Sequence, residues 1–211
     1  MNTILFTRPE HDPTTHYLSH WCKESIILAE SKGIKVLDLN RERAVKIEVE
    51  NRLTKFSPNM VVLNGHGNEN MVTGHKNEPL IIVGNNERLL KDKIIYAISC
   101  RSAKNLGPKS VSAGAISYSG YDDDFVFIYE PEKISRPLSD NTARMFLEHS
   151  QIYVESLIKG NTVDEATKRS KQNLKDNFVK ALSENNTTAT RFLWWDLKHF
   201  VSHGKIDARL E

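Results

Sequence analysis

Two side chains of complementary chemistry stand at the ends of two similar runs of sequence. Met60-Val61-Val62-Leu63-Asn64-Gly65 leads to His66 and Gly67, and Ile94-Ile95-Tyr96-Ala97-Ile98-Ser99 leads to Cys100. A thiol attacks a carbonyl carbon as its thiolate, and a neighbouring imidazole can take the thiol proton and return one to the leaving group. His66 and Cys100 are therefore the minimum equipment of a cysteine nucleophile and its base. The backbone N–H groups of Gly67 and Cys100 are the natural donors for the oxyanion such an attack creates, and Gly67 carries no side chain to obstruct a substrate carbonyl. His66 needs no obvious third residue to orient it; a backbone carbonyl suffices.

The elements that must position this pair follow from the patterning. Both leading runs are continuously apolar and partly β-branched, the pattern of strands buried on two faces of a parallel sheet. Ligands and chemistry gather just outside the carboxyl ends of such strands. Ile4 to Thr7 and Ile34 to Leu39 read as two further strands. Between them, residues 14–31 read as a helix capped by Thr14 or Thr15 and followed by Gly33, and residues 41–56 read as a charged surface helix closed by Ser57-Pro58. Strand and helix alternate, as right-handed crossovers of a parallel sheet require.

The remainder is less regular. Residues 65–84 form a polar insertion with two Gly-His pairs, in which Leu80 to Val83 reads as a short strand of a hairpin and His75 as a loop residue. A brief helix is expected over 85–91 and a turn-rich segment after Cys100. Gly114 to Ser119 is a fifth strand and Phe125 to Tyr129 a sixth short strand or an extended piece, flanking the acidic loop Asp122-Asp123-Asp124. Two long helices span 139–158 and 162–184, the second with Asp164 and Glu165 in its first turn, where negative charge favours the helix dipole. The aromatic-rich segment from Phe192 to Phe200 is expected to pack on the core.

Composition narrows the classes. The 211 residues are most simply one domain spanning 1–211, and a net charge of +2 without a Lys/Arg stripe gives no argument for nucleic acid. The two cysteines, Cys22 and Cys100, make neither a disulfide framework nor a metal-ligand pattern, and a reducing cytoplasm is the natural setting for a free thiol. No apolar run approaches the length of a signal peptide or a membrane span, so no membrane partner is expected. No metal or organic cofactor is implied.

These residues also carry a family resemblance. Asn64-Gly65-His66-Gly67 at a strand end resembles the histidine motif of the caspase-like cysteine peptidases, the group of caspases, legumains, gingipains, separase and the CHAT domains. Ala97-Ile98-Ser99-Cys100-Arg101-Ser102-Ala103 is similar to their cysteine motif, and His precedes Cys as in that group, whereas class I glutaminases place Cys first. Gly114 to Gly120 resembles the next core strand of CHAT and gingipain-like domains, and Lys159 to Ala166 the glycine turn and helix start late in CHAT-like chains. The resemblance spans roughly residues 60–170. Ser99 stands where caspases and metacaspases place Asp, and the Gln-Ala-Cys signature is absent, so Asp specificity is not carried over.

The resemblance implies a three-layer caspase-like α/β fold, a mostly parallel sheet flanked by helices, and hydrolysis of a protein or peptide substrate through a thioester. It implies too that Asp122, Asp123 or Asp124 lines the pocket for the residue before the scissile bond, an acidic residue there selecting Arg or Lys; the competing reading is a solvated turn. A regulatory partner protein is a further implication. Taken singly, His66 can be a loop histidine and Cys100 a small buried hydrophobe; their joint placement favours a dyad, with an alkylation-prone, low-pKa Cys100 beside a structural Cys22. The alternatives are a catalytically silent caspase-like module that regulates or binds another protein, and a phosphate-binding doubly wound domain, for which no glycine-rich phosphate loop is present.

Overall fold

The computed structural model describes residues 2–210. Its centre is a six-stranded sheet in the order β2-β1-β3-β7-β8-β9, built from β1 (Thr3–Arg8), β2 (Lys35–Asn40), β3 (Met60–Asn64), β7 (Ile94–Ile98), β8 (Ser117–Tyr121) and β9 (Phe200–Gly204). The first five are parallel and β9 alone runs antiparallel, against β8. A three-stranded antiparallel sheet of β4 (Gly67–Asn68), β5 (Met71–Thr73) and β6 (Pro79–Ile82) fills the insertion after β3.

Alternation of side chains along the central strands supplies both faces. Ile4, Phe6, Met60, Val62, Ile94 and Tyr96 pack with residues of α1 (Pro13–Ser31), α4 (Asn141–Ile158) and the start of α5 (Val163–Ser183). Leu5, Val61, Leu63, Ile95 and Ala97 pack on the opposite face with Val49 and Leu53 of α2 (Lys46–Phe56), Leu106 of α3 (Leu106–Ser112), and Val72, Leu80 and Ile81 of the small sheet. The result is α/β with a mostly parallel sheet between two covering layers. The strands carry apolar residues at consecutive positions because both of their faces are buried.

Several boundaries differ from the sequence reading. The α1 N-cap is Asp12, whose side chain accepts the Thr15 amide while the Thr15 hydroxyl closes the capping box, so Thr14 and Thr15 lie inside the helix. Residues 41–56 break into a 3-10 turn, Arg41–Arg43, and α2. A 3-10 turn, Glu87–Leu90, stands in the place of the brief helix over 85–91. The turn-rich segment after Cys100 contains α3, which tolerates Pro108 because that residue sits in the first turn, where no N–H partner is required.

Of the two readings of Phe125 to Tyr129, the strand is the one that does not form. Its place beside β8 is taken by β9, and its backbone is held instead by side chains. The Val126 amide donates to Asp196 Oδ1 at 3.1 Å, and the Glu130 amide donates to Asp140 Oδ2 at 2.8 Å, where Tyr17 Oη also donates at 2.7 Å. The aromatic segment divides: Phe200 is wholly buried, whereas Trp194 on α6 (Thr187–His199) is 48% exposed. No helix among the described residues is long and apolar enough to cross a membrane.

Candidate active site at the carboxyl edge of the sheet

Register sets the site. In the β3–β7 pairing Asn64 stands opposite Ile98, so His66 and Cys100 each follow two residues beyond a paired position on neighbouring parallel strands. Adjacent strands lie about 4.8 Å apart, so the two residues leave the same edge of the sheet side by side. The residues after β1 and β8, Asp12 and Asp122 to Asp124, emerge along the same edge.

The backbone around His66 is pinned by close packing. A Cβ on Gly65 would lie 2.1 Å from the Thr73 carbonyl oxygen, so only glycine fits between β3 and the small sheet. The His66 carbonyl accepts the Thr73 amide at 2.8 Å and the Thr73 hydroxyl at 3.1 Å. That bond makes Gly67 and Val72 a non-hydrogen-bonded pair of the antiparallel ladder, which turns the Gly67 N–H away from β5. Gly67 is required for a second reason: a Cβ there would sit 2.1 Å from Ser99 Oγ and 2.6 Å from the Met71 carbonyl oxygen.

The imidazole has a carboxylate partner that the sequence reading missed. His66 Nε2 lies 2.7 Å from Asp12 Oδ2. An ionised carboxylate only accepts, so Nε2 carries an N–H, and in the neutral form of the ring the lone pair is then on Nδ1. Burial alone would raise the Asp12 pKa, but the Thr15 amide and His66 together hold this carboxyl below the usual carboxylate range. The available signal was positional: Asp12 follows the first strand, adjacent to the one that carries His66, and stands before a helix.

Cys100 sits on a tight turn. Arg101, the next residue, adopts φ +56°, left-handed for a non-glycine residue, and its amide donates to the Asp123 carbonyl at 3.0 Å. The Ala103 amide donates to the Tyr121 carbonyl at 2.9 Å. Neither bond uses the Cys100 amide. The thiol is half-buried, and Sγ is 3.7 Å from the Phe125 carbonyl oxygen. Burial pushes the Cys100 thiol pKa up, and the nearby Asp124 carboxylate adds to the rise. The expectation of a low-pKa thiol is thus corrected: at rest Cys100 is a protonated thiol facing Phe125, while the His66 imidazole is bonded to Asp12. Cys22 is buried, and burial pushes its thiol up to about 12.

The acidic loop is lashed in place. Asp124 makes a two-pronged pair with Arg101, Nε and Nη2 each 2.8 Å from a carboxylate oxygen, and Asp123 lies 3.9 Å from Arg101 Nε. Asp122 Oδ1 is 2.7 Å from His199 Nδ1, and the Asp122 amide donates to the His199 carbonyl. Trp195 Nε1 donates to the Asp124 carbonyl at 2.9 Å. Beside this loop lies a surface cavity of about 370 Å³ lined by Asp124, Val126, Arg191, Phe192, Trp194 and Trp195. His75, read as a loop residue, lies in a 3-10 turn with its ring edge-on to His11, centroids 5.7 Å apart.

No family model matches the chain, and no curated protein matches it.

Proposed function

We propose that this chain is a cysteine endopeptidase of the caspase-like type, on the CHAT and gingipain-like branch. One observation carries the reading: a histidine oriented by a carboxylate and a cysteine on a tight turn leave adjacent parallel strands in the same register, at the edge where such sheets do chemistry.

The reaction proceeds in two stages. The Cys100 thiol proton passes to His66 Nδ1 as sulfur adds to the scissile carbonyl carbon, and the imidazolium formed is stabilised through Nε2 by Asp12. The amides of Gly67 and Cys100 receive the oxyanion, each such donor being worth about 3 kcal/mol to the transition state. The C–N bond breaks as His66 protonates the departing amine, leaving a thioester. Water, deprotonated by His66, then adds to the thioester and expels the Cys100 sulfur. Because the resting thiol faces Phe125, substrate binding must swing Sγ from that carbonyl toward the imidazole.

In this reading the acidic loop receives the side chain before the scissile bond. Asp124 is engaged by Arg101, but both partners are solvent-exposed, and exposed ion pairs are worth roughly 0–1 kcal/mol. An arginine or lysine of the substrate can therefore replace Arg101 at little cost. A positional-scanning fluorogenic peptide panel tests the proposal: hydrolysis after Arg or Lys that disappears in Cys100→Ala supports it, and turnover undiminished by Cys100→Ala would falsify it.

The protonated thiol held at the Phe125 carbonyl favours a second reading, a silent caspase-like module that serves a partner protein. Silence predicts no hydrolysis on any peptide of the panel.

A further inference from the structure

His11, Asp12 and His66 bring three donor atoms within 4.8 Å of one another. Asp12 Oδ2 stands between the two rings, 2.7 Å from His66 Nε2 and 3.4 Å from His11 Nε2. Both nitrogens of the His11 ring are buried and neither has a hydrogen-bond partner. A buried imidazole without partners is an unsatisfied ligand, and burying such polar groups is unfavourable unless something engages them. A tetrahedral zinc ion holds nitrogen and oxygen ligands at about 2.0–2.1 Å, which places the donors roughly 3.4 Å apart. The His11–Asp12 separation already has this value, and the His66–Asp12 contact has only to open by under about an ångström. A surface cavity of about 390 Å³ lined by His11, Asp12, Pro13 and His16 offers a path of entry.

The neighbouring trio Glu10, His16 and His20 is also compact but is already satisfied. Arg41 Nε donates to Glu10 Oε2 at 2.8 Å, His16 Nε2 is 2.8 Å from the Ile134 carbonyl oxygen, and His20 Nδ1 is 2.9 Å from the His16 carbonyl oxygen. The guanidinium would repel a cation there.

We propose that His11, Asp12 and His66 form a zinc-binding site that switches off the His66 base. A neutral imidazole holds one proton. When Nε2 coordinates zinc, that proton moves through solvent to Nδ1, and the nitrogen that would accept the Cys100 proton becomes an N–H. Two histidines and one carboxylate leave a fourth zinc position for water. The inhibitory consequence rests on the dyad reading above; the binding site does not.

Calorimetric titration with Zn²⁺ and optical titration with Co²⁺ test the site on the intact chain. The expected result is saturable binding of one ion per chain with the visible bands of tetrahedral Co²⁺. His11→Ala should weaken binding by at least about tenfold. Asp12→Asn, which keeps a good helix cap, should weaken it as well, with circular dichroism confirming that both variants are folded. Cys100→Ser should bind like the wild type. Absence of saturable binding, binding indifferent to both His11→Ala and Asp12→Asn, or loss of binding in Cys100→Ser would overturn the site. If zinc binds as expected while no peptide is cleaved, only the dyad reading falls. If peptides are cleaved with undiminished rate at saturating zinc, the switch falls.

Discussion

The carboxylate of Asp12 joins two jobs: its Oδ1 accepts the Thr15 amide at the start of α1, and its Oδ2 lies 2.7 Å from His66 Nε2. Helix capping and imidazole orientation therefore share one side chain, and substitutions can separate them. Asp12→Asn retains a good cap, whereas Asp12→Ala removes it at about 1 kcal/mol of stability. Both variants lose the charged acceptor that fixes the His66 tautomer. Peptide hydrolysis should fall by on the order of 100-fold or more in both. Thermal melts should fall clearly only for the alanine variant.

Cys100 and Asp124 are coupled through charge. The Asp124 carboxylate opposes ionisation of the thiol, adding to the larger effect of burial. Iodoacetamide labelling of Cys100 should be slow near neutral pH and accelerate as pH rises toward and beyond the ordinary thiol range. Asp124→Asn removes the negative charge and leaves Arg101 with only its longer contact to Asp123, so the thiol pKa should drop and labelling at pH 8 should quicken by about threefold or more. Cys22 should stay unlabelled in both proteins. A rate unchanged or slowed by Asp124→Asn would contradict this electrostatic account; mass spectrometry of the labelled peptides decides it.

Gly67 and Ser99 are in steric contact across the site. Gly67→Ala should destabilise the protein by about 1–3 kcal/mol, because the new methyl meets both Ser99 Oγ and the Met71 carbonyl. Adding Ser99→Ala should recover part of the loss, since one of the two obstacles is a side chain and the other is backbone. Ser99 Oγ is buried without a hydrogen-bond partner, so Ser99→Ala alone should be neutral or slightly stabilising. Urea denaturation of the four proteins gives the comparison.

Asp196 makes stability depend on pH in a stated direction. Burial raises its carboxyl well above the usual range, with the Val126 amide as a partial counterweight. The folded state therefore keeps a proton that the unfolded chain loses once pH exceeds about 4. Stability falls with rising pH through the window between those two values, by up to about 1.4 kcal/mol per pH unit. Asp196→Asn still offers an oxygen to the Val126 amide and does not titrate. It should melt near the wild-type temperature below pH 4 and above it at pH 7, and a difference that shrinks as pH rises would contradict the assignment. His149 acts oppositely: burial pushes its pKa down to about 3, so its contribution to stability is lost as pH falls from the ordinary histidine range toward that value. Comparing each variant with the wild type separates the two.

The parts of this fold that were legible were those whose residues answer to a single local demand. Met60 to Asn64 and Ile94 to Ile98 could be read as central strands because both faces of each are buried, leaving no polar alternation. Phe125 to Tyr129 could be read as a short strand or an extended piece because its continuous apolar run imitates a strand, whereas here the side-chain carboxyl groups of Asp196 and Asp140 take up the amides of Val126 and Glu130 that a neighbouring strand would otherwise bond. Helix α3 was hidden by Gly107-Pro108, a pair that usually signals a turn. Asp12 could be found as a residue before a helix but not as the partner of His66, because that pairing joins residues 54 positions apart. The direction of the Cys100 thiol depends on a loop whose conformation no local pattern encodes.

The bonds from α6 to the acidic loop have a consequence for synthesis. Trp195, Asp196 and His199 supply the groups that fix Asp122, Asp124 and Val126 beside the sulfur. A nascent chain emerging from the ribosome can assemble β1, β3 and β7 long before those residues exist. The wall beside the Cys100 sulfur consequently takes shape only after α6 has been made, well after the strands that carry His66 and Cys100.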